Sequence, residues 1–342
     1  MASRLNLRFQ RMLKRLSYWR RIFKVYFTMD KGYLSFWHEK PAVSEGINKN
    51  ELGPYYQTFE DKANYGGPKD DKGIILFDYF FDIGRQYNPL AVAQYGLGNW
   101  NLYLKTKDKK YLEIAKTQAD WLVENLEPNP SVSSGQGEKL WVWKHKFRWH
   151  YKQWLEAGWY SAHSQGTGIS LLARLYKETG DKRYFEAARK AFVALNTEIK
   201  NGGTRFIDEN GNSWLEEYLV NPPTHILNGF LWALWGLYDY WLLTKEEEAK
   251  KLFDACVLTL ENNLSKYDAG YWSLYDLSKQ FLKMLASPFY HSLHIVQLRV
   301  MHILTGEEVF KNYSERFDNY TKGWFKRKRA FIYKAIFKLV YF

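Results

Sequence analysis

Along the chain, long apolar stretches alternate with one-sided amphipathic ones, and a short polar turn joins each pair. Leu90 to Leu104, Ser164 to Tyr176, Ile226 to Leu243 and His294 to Leu304 are apolar nearly all round, the pattern of a helix buried on several sides. Each runs into a Thr-Gly/Lys-Asp/Glu turn: Thr106-Lys107-Asp108, Thr179-Gly180-Asp181, Thr244-Lys245-Glu246 and Thr305-Gly306-Glu307. A helix with a single apolar stripe follows, as in Tyr184, Phe185, Ala187, Ala188, Ala191, Phe192 and Leu195 against Glu186, Arg189 and Lys190. Thr-to-Thr spacings of 73, 65 and 61 residues make this an internal repeat. The pattern predicts a mainly α fold: an α/α toroid, here an incomplete α/α barrel of about four helical hairpins, with the apolar helices inside.

Inner helices of such a barrel run parallel, so the long connections leading into them gather at one end. Those connections, 127–160, 200–224 and 262–292, are rich in Gly, Asn, Asp and Trp with short alternating runs, such as Gly203 to Ile207 before the turn Asp208-Glu209-Asn210-Gly211. They predict β-hairpin insertions at the active-site end. Residues 28–86 lack the repeat and predict an irregular or β-rich segment packed on the helices. Four regions result: a basic amphipathic segment 1–27, the segment 28–86, a helical catalytic domain 87–321 and a basic amphipathic tail 322–342.

Composition changes this picture at the ends of the chain. The net charge of +12 is concentrated there, with eight Lys/Arg and no acid in 1–27 and seven and none in 322–342. Between them 34 bases face 37 acids, so the body is nearly neutral. Both ends interleave their charges with apolar residues at helical spacing (Phe9, Met12, Leu13, Leu16, Trp19; Phe331, Ile332, Ile336, Phe337, Val340), which suits a peripheral seat on an anionic membrane. No nucleic-acid motif accompanies the charge, so nucleic acid is not an expected partner. Ile226 to Leu243 is about one membrane thickness but carries Asn228 and Asp239, and reads as a core helix. No secretory signal is visible, so the expected location is cytoplasmic, with the inner face of the membrane in reach of both ends. Cys256, the one cysteine, sits in an apolar helical stretch and reads as a small buried hydrophobe. Monomer and homodimer both remain open.

Aromatic residues make up 18% of the chain, a composition that suits stacking on sugar rings and also suits core filling. Their positions are more informative. Tyr87, Tyr160, Tyr218 and Tyr290 each precede an inner helix, and Tyr275 lies on the loop before the fourth. If the inner helices start at one mouth, these tyrosines are neighbours in space. Helix N-termini converging there favour an anionic group such as a carboxylate, and the combination suits an acidic sugar.

Several blocks carry a family resemblance. Gly158-Trp159-Tyr160-Ser161-Ala162 with Gln165-Gly166, Trp214-Leu215-Glu216-Glu217-Tyr218, Ile226-Leu227-Asn228-Gly229-Phe230, Gly236-Leu237-Tyr238-Asp239, Tyr275-Asp276-Leu277, and Tyr290-His291 with His294 and Gln297-Leu298 occur in order over about 158–300. Together they resemble the C-terminal domain of the D-glucuronyl C5-epimerases, the enzymes of heparan sulfate and heparin biosynthesis. The resemblance implies conversion of D-glucuronic acid to L-iduronic acid within a heparosan-like acidic polysaccharide, by loss and return of the C5 proton, without a cofactor or metal. It places the catalytic tyrosines on Tyr218, Tyr275 and Tyr290, with Glu217 beside them. One departure is that Ser278 and Lys279 stand where an arginine is expected after the Tyr-Asp-Leu block.

A proton α to a carboxylate is scarcely acidic, because its removal adds charge to an anionic group; donors and cations must neutralise that carboxylate. Lys279, Arg148, His291 and His294 are the candidates for that task. Tyr160, Gln165, Asn228 and Tyr87 complete the residues expected to contact substrate. Epimerisation also needs proton carriers on both faces of the ring, for which Tyr290 and Tyr218 are the pair, with Tyr275 and Glu217 orienting or relaying. Tyrosine serves if positive potential lowers its pKa or if proton transfer is concerted. A uronate lyase, a glycoside hydrolase using two of Glu217, Asp268 and Asp276, and a non-catalytic glycan-binding toroid are the competing readings.

Overall fold

A computed structural model describes residues 36–79, 83–133 and 139–341, together with Leu16 and Arg20. The basic segment 1–27 lies outside the described residues apart from those two. The four-hairpin layout is present. Its inner helices are α2 (Pro89–Thr106), α4 (Ala162–Thr179), α6 (Leu227–Thr244) and α8 (Pro288–Thr305), and each is followed by an outer helix, α3 (Lys109–Glu124), α5 (Lys182–Asn196), α7 (Glu247–Asn263) and α9 (Glu308–Lys322). A short α1 (Glu60–Ala63) precedes them and α10 (Trp324–Tyr341) follows.

The repeated turn has one geometry. Lys107, Gly180, Lys245 and Gly306 take left-handed backbone (φ 60°, 71°, 59° and 81°) and stop each inner helix. Two residues past each threonine, the acidic residue's backbone N–H donates to the threonine Oγ1, at 3.2, 3.2, 3.2 and 3.1 Å. Asp108 and Asp181 then cap the outer helices by accepting from the N–H of Lys110 and Arg183. Burial follows the pattern of the sequence: α6 is buried from Leu227 to Tyr240, whereas α5 buries one stripe, Tyr184, Ala187, Ala188, Ala191, Phe192, Ala194 and Leu195. Where α4 crosses α6, Gly166 and Gly236 bring the backbones into contact; a Cβ on Gly236 would stand 2.0 Å from the Gly166 carbonyl oxygen.

Two-stranded ladders occupy the connections into α4 and α6. They are β3 (Leu126–Ser133) with β4 (Lys139–Trp143), β5 (Trp149–Tyr151) with β6 (Gln153–Leu155), and β7 (Arg205–Ile207) with β8 (Ser213–Leu215), all antiparallel. The 262–292 connection differs from the expected hairpin: it carries only the isolated bridges Asp268–Ser273 and Leu274–Leu285.

Among its described residues the N-terminal segment has one ladder, β1 (Phe77–Tyr79) with β2 (Gly84–Gln86), and is otherwise mainly irregular. Rather than lying on the helices, it enters the barrel. Tyr55, Tyr56 and Phe59 are fully buried, with Tyr55 and Tyr56 against Trp235 and Phe59 against Trp232. There the Arg174 guanidinium meets Asp239 at 2.6 Å and donates to the Gly53 carbonyl at 3.0 Å, while the Tyr56 hydroxyl donates to Asp239 at 2.6 Å. Arg174 lies twelve residues into α4, roughly 18 Å from its start. The segment therefore plugs the barrel toward the C-terminal ends of its inner helices. Cys256 is buried on α7, which pushes its thiol up to about 12.

Candidate active site

At the opposite end, the first turns of all four inner helices face one cavity of about 150 Å³, some ten times the room one water needs. Asn88 and Leu90 come from the start of α2, Ser161 and His163 from α4, Asn228 and Trp232 from α6 and Tyr290 from α8. The connections add Glu217, Tyr218, Tyr275, His145, Phe147, Trp149 and Trp159, and the N-terminal segment adds Trp37, His38, Lys62 and Tyr79. Local chemistry explains the starts: Asn88 caps α2 by accepting from the Leu90 and Ala91 N–H groups, Ser161 caps α4 and Ser287 caps α8. Four helix N-termini give the cavity a positive partial potential.

Tyr218, Tyr275, Tyr290 and Glu217, separated by up to 73 positions in sequence, share this cavity wall. The rings of Tyr275 and Tyr290 meet edge to face at 4.9 Å, and Tyr218 stacks on Tyr151 at 4.4 Å. Burial first, then the Glu217 charge and the hydroxyls of Tyr290, Tyr218 and Tyr151, hold the Tyr275 hydroxyl well above the usual tyrosine range. Tyr275 is therefore a persistent donor, and the expectation of a phenol made acidic by positive potential does not apply to it. Asp276 is fully engaged, accepting from the Tyr151 hydroxyl at 2.7 Å and from the Ser278 hydroxyl at 2.6 Å, with the Lys152 ammonium at 2.7 Å.

Glu217 is held differently. A Cβ on Gly229 would stand 2.1 Å from its Oε2, so only glycine in the first turn of α6 leaves room for this carboxylate. That oxygen has no hydrogen-bond partner, and the nearest His163 nitrogen is 3.8 Å away. Trp37 Nε1, both ring nitrogens of His163, Asn228 Oδ1 and Trp232 Nε1 are likewise buried without a partner, and these four residues line the cavity with Glu217. Buried polar groups are nearly always satisfied, so this concentration marks a place built for a polar ligand.

The remaining expected contacts lie elsewhere. The Tyr160 hydroxyl donates to the Gly202 carbonyl at 2.7 Å and accepts from Asn129, tying two connections together. Gln165 bonds the Trp143 N–H and the Trp141 carbonyl, securing β4. His291 accepts the Ser273 N–H on Nδ1 and bonds the Phe317 carbonyl through Nε2, while His294 meets the Ser273 hydroxyl at 2.9 Å. Both histidines thus anchor the stretch of loop that delivers Tyr275, and burial holds them neutral, with His291 lowered to about 4. Arg148 is exposed and paired with Glu156 at 2.9 Å; Tyr87 is 37% exposed and donates to Asp70. Lys279 is exposed. None of these seven lines the cavity, whereas Asn228 does.

The cation facing the cavity is one that sequence reasoning missed. Among the described lining residues Lys62 is the one lysine or arginine. Its ammonium donates to the Phe36 carbonyl at 2.5 Å and lies 4.2 Å over the Phe36 ring, and its backbone N–H donates to Glu39. Burial lowers its pKa against the opposing pull of Glu39. Nothing in the polar run Glu60-Asp61-Lys62 signals a buried lysine.

Residues 136–319 match the family model described as the D-glucuronyl C5-epimerase C-terminus. The chain belongs to that family. It is 34% identical over 220 residues to a D-glucuronyl C5-epimerase of Caenorhabditis elegans, a match covering 60% of this chain and 34% of the nematode protein. The chain thus spans about a third of that relative's length. It is also 27% identical over 262 residues to an uncharacterized protein of Methanocaldococcus jannaschii, covering 74% of this chain and 82% of the archaeal one. Among solved structures, cellobiose 2-epimerase from Spirochaeta thermophila is similar over 67% of this chain and 56% of its own, with TM-score 0.46 and 12% identity. An unsaturated glucuronyl hydrolase specific for heparin is similar over 67% and 60%, with TM-score 0.44 and 14% identity. The C5-epimerase family match includes every connection that brings Glu217, Tyr218, Tyr275 and Tyr290 to the cavity, whereas Lys62 and Trp37 fall before it.

Proposed function

We propose that the protein is a C5-epimerase that converts D-glucuronic acid to L-iduronic acid residues within a heparosan-like polysaccharide. The observation carrying this reading is the convergence of three tyrosines and one unpartnered carboxylate on a cavity walled by helix N-termini. The uronate carboxylate sits against Lys62, Asn228 and the positive helix starts, which offset the charge that builds as the C5 proton leaves. Tyr275, which keeps its proton, donates to the same carboxylate. Tyr290 and Tyr218 work on opposite faces of the ring. One phenolic oxygen takes the C5 proton as its own proton passes toward Glu217, and the other phenol returns a proton to the far face. The sugar leaves inverted, with no bond to the polymer broken.

A two-carboxylate hydrolase fits less well. Of Glu217, Asp268 and Asp276, only Glu217 lines the cavity; Asp268 is bound by Tyr320 and Arg316, and Asp276 by Tyr151, Ser278 and Lys152. Incubation with unsulfated heparosan in heavy water tests the proposal: deuterium enters C5 while chain length is preserved. Shortened saturated chains would instead identify a hydrolase, and shortened unsaturated ones a lyase.

A further inference from the structure

Helix α10 presents two unlike sides. Toward the domain, Ala330 and Phe337 are buried, the Lys334 ammonium donates to the Leu285 carbonyl, and the Tyr341 hydroxyl accepts the Leu282 N–H. Outward, Phe325, Phe331, Ile332, Ile336, Leu339 and Val340 are between 49% and 80% exposed. At 100° per residue, Phe331, Leu339, Ile332, Phe325 and Ile336 form one continuous outward sector interrupted only by Trp324, Ala335 and Lys328. Arg327 and Lys338 border it on one side and Arg329 on the other. The helix carries six Lys/Arg and no acid. Phe281, on the loop that meets Tyr341 through Leu282, is 96% exposed.

We infer that α10 seats on an anionic lipid surface, its outward aromatic and aliphatic side chains entering the acyl boundary and its bordering arginines and lysines meeting the headgroups. Charge complementarity selects the anionic lipid, each basic group near such a surface adding about fivefold to partition. The apolar sector separates a bilayer from a soluble polyanion, which would engage the charges and leave six large apolar side chains in water. Among the described residues no helix is long and apolar enough to cross a membrane, so this is attachment in the plane of the surface.

Flotation of the full chain with vesicles of phosphatidylcholine, with and without phosphatidylserine, tests the assignment. Two variants accompany the native chain: Phe331→Ser/Ile332→Ser/Leu339→Ser and Arg327→Gln/Lys328→Gln/Lys338→Gln. Five of the six positions are exposed and Lys338 is half-buried, and all lie outside the catalytic cavity, so unfolding midpoint and turnover of soluble polymer serve as controls for folding. The expected result is recovery of the native chain with phosphatidylserine vesicles, reduced about tenfold or more in both variants. Equal recovery of the apolar variant overturns the proposal. So does indifference to phosphatidylserine, binding to heparosan that is lost in the charge variant while the apolar variant floats normally, or a soluble dimer abolished by the apolar changes.

Discussion

The two ends of the barrel bury charge in opposite ways. At the plugged end, Arg174 and Asp239 are almost wholly inaccessible, yet Asp239 accepts from both terminal guanidinium nitrogens and from the Tyr56 hydroxyl, while the Gly53, Pro54 and Ser170 carbonyls accept the remaining guanidinium hydrogens. At the open end Glu217, His163, Asn228 and Trp232 are also buried and keep polar atoms without a protein partner. At one end the two charged side chains are satisfied and hold the N-terminal segment inside the barrel, although the Tyr55 hydroxyl and Trp235 Nε1 beside them have no partner. At the other a carboxylate oxygen on a cavity wall has no partner, and a bound polar ligand would supply one. Burial of charge alone therefore identifies no site; a charged oxygen without a partner on a cavity wall does.

The comparison breaks first, and most heavily, at the phenols. Tyr290→Phe or Tyr218→Phe should cost two to four orders of magnitude in deuterium incorporation, roughly what a positioned acid or base contributes, with little change in the unfolding midpoint. Asp239→Ala should do the reverse. It leaves Arg174 buried without its counter-ion and should lower stability by about 3–5 kcal/mol in denaturant titration, while protein that remains folded keeps its turnover.

Acid sharpens the distinction between scaffold and site. His145 is held down to about 3 and His291 to about 4 by burial, both below the ordinary histidine value. Unfolding restores that value, so their stabilisation is present above about pH 6.5 and is lost as pH falls toward 4. A loss of about 2 kcal/mol or more between pH 6.5 and 4.5 is expected in urea titrations, and an unchanged midpoint would contradict the neutral buried pair. Smaller again is Lys62→Met, which should lower kcat/KM about ten- to hundredfold by removing the cation from the cavity. Lys279→Ala, at an exposed position, should stay within about twofold of the native rate.

How far the sequence reached follows from the range of the interactions involved. Turn, cap and helix type are local, so the Thr-x-Asp/Glu repeat revealed the hairpins and, through their parallel inner helices, the end where Tyr218, Tyr275 and Tyr290 meet. Gln165, His291 and His294 lie in the same blocks as those tyrosines, and there sequence proximity misleads. Side chains on one helix point to different neighbours, and these three turn toward β4 and Ser273. Lys62 was illegible for the opposite reason. Its burial depends on Phe36, Glu39 and Phe59 closing around it, and no period in the chain encodes that meeting.

Hydrophobic periodicity and turn chemistry by themselves determined the helices, their alternation and their common direction, because each depends on residues a few positions apart. Tertiary structure alone decided which polar atoms would be left unpartnered, which lysine would face them, and that an irregular segment would plug the barrel instead of coating it. Those outcomes depend on the packing of side chains dozens of residues apart, where burial and the number of available partners are set by the whole chain at once.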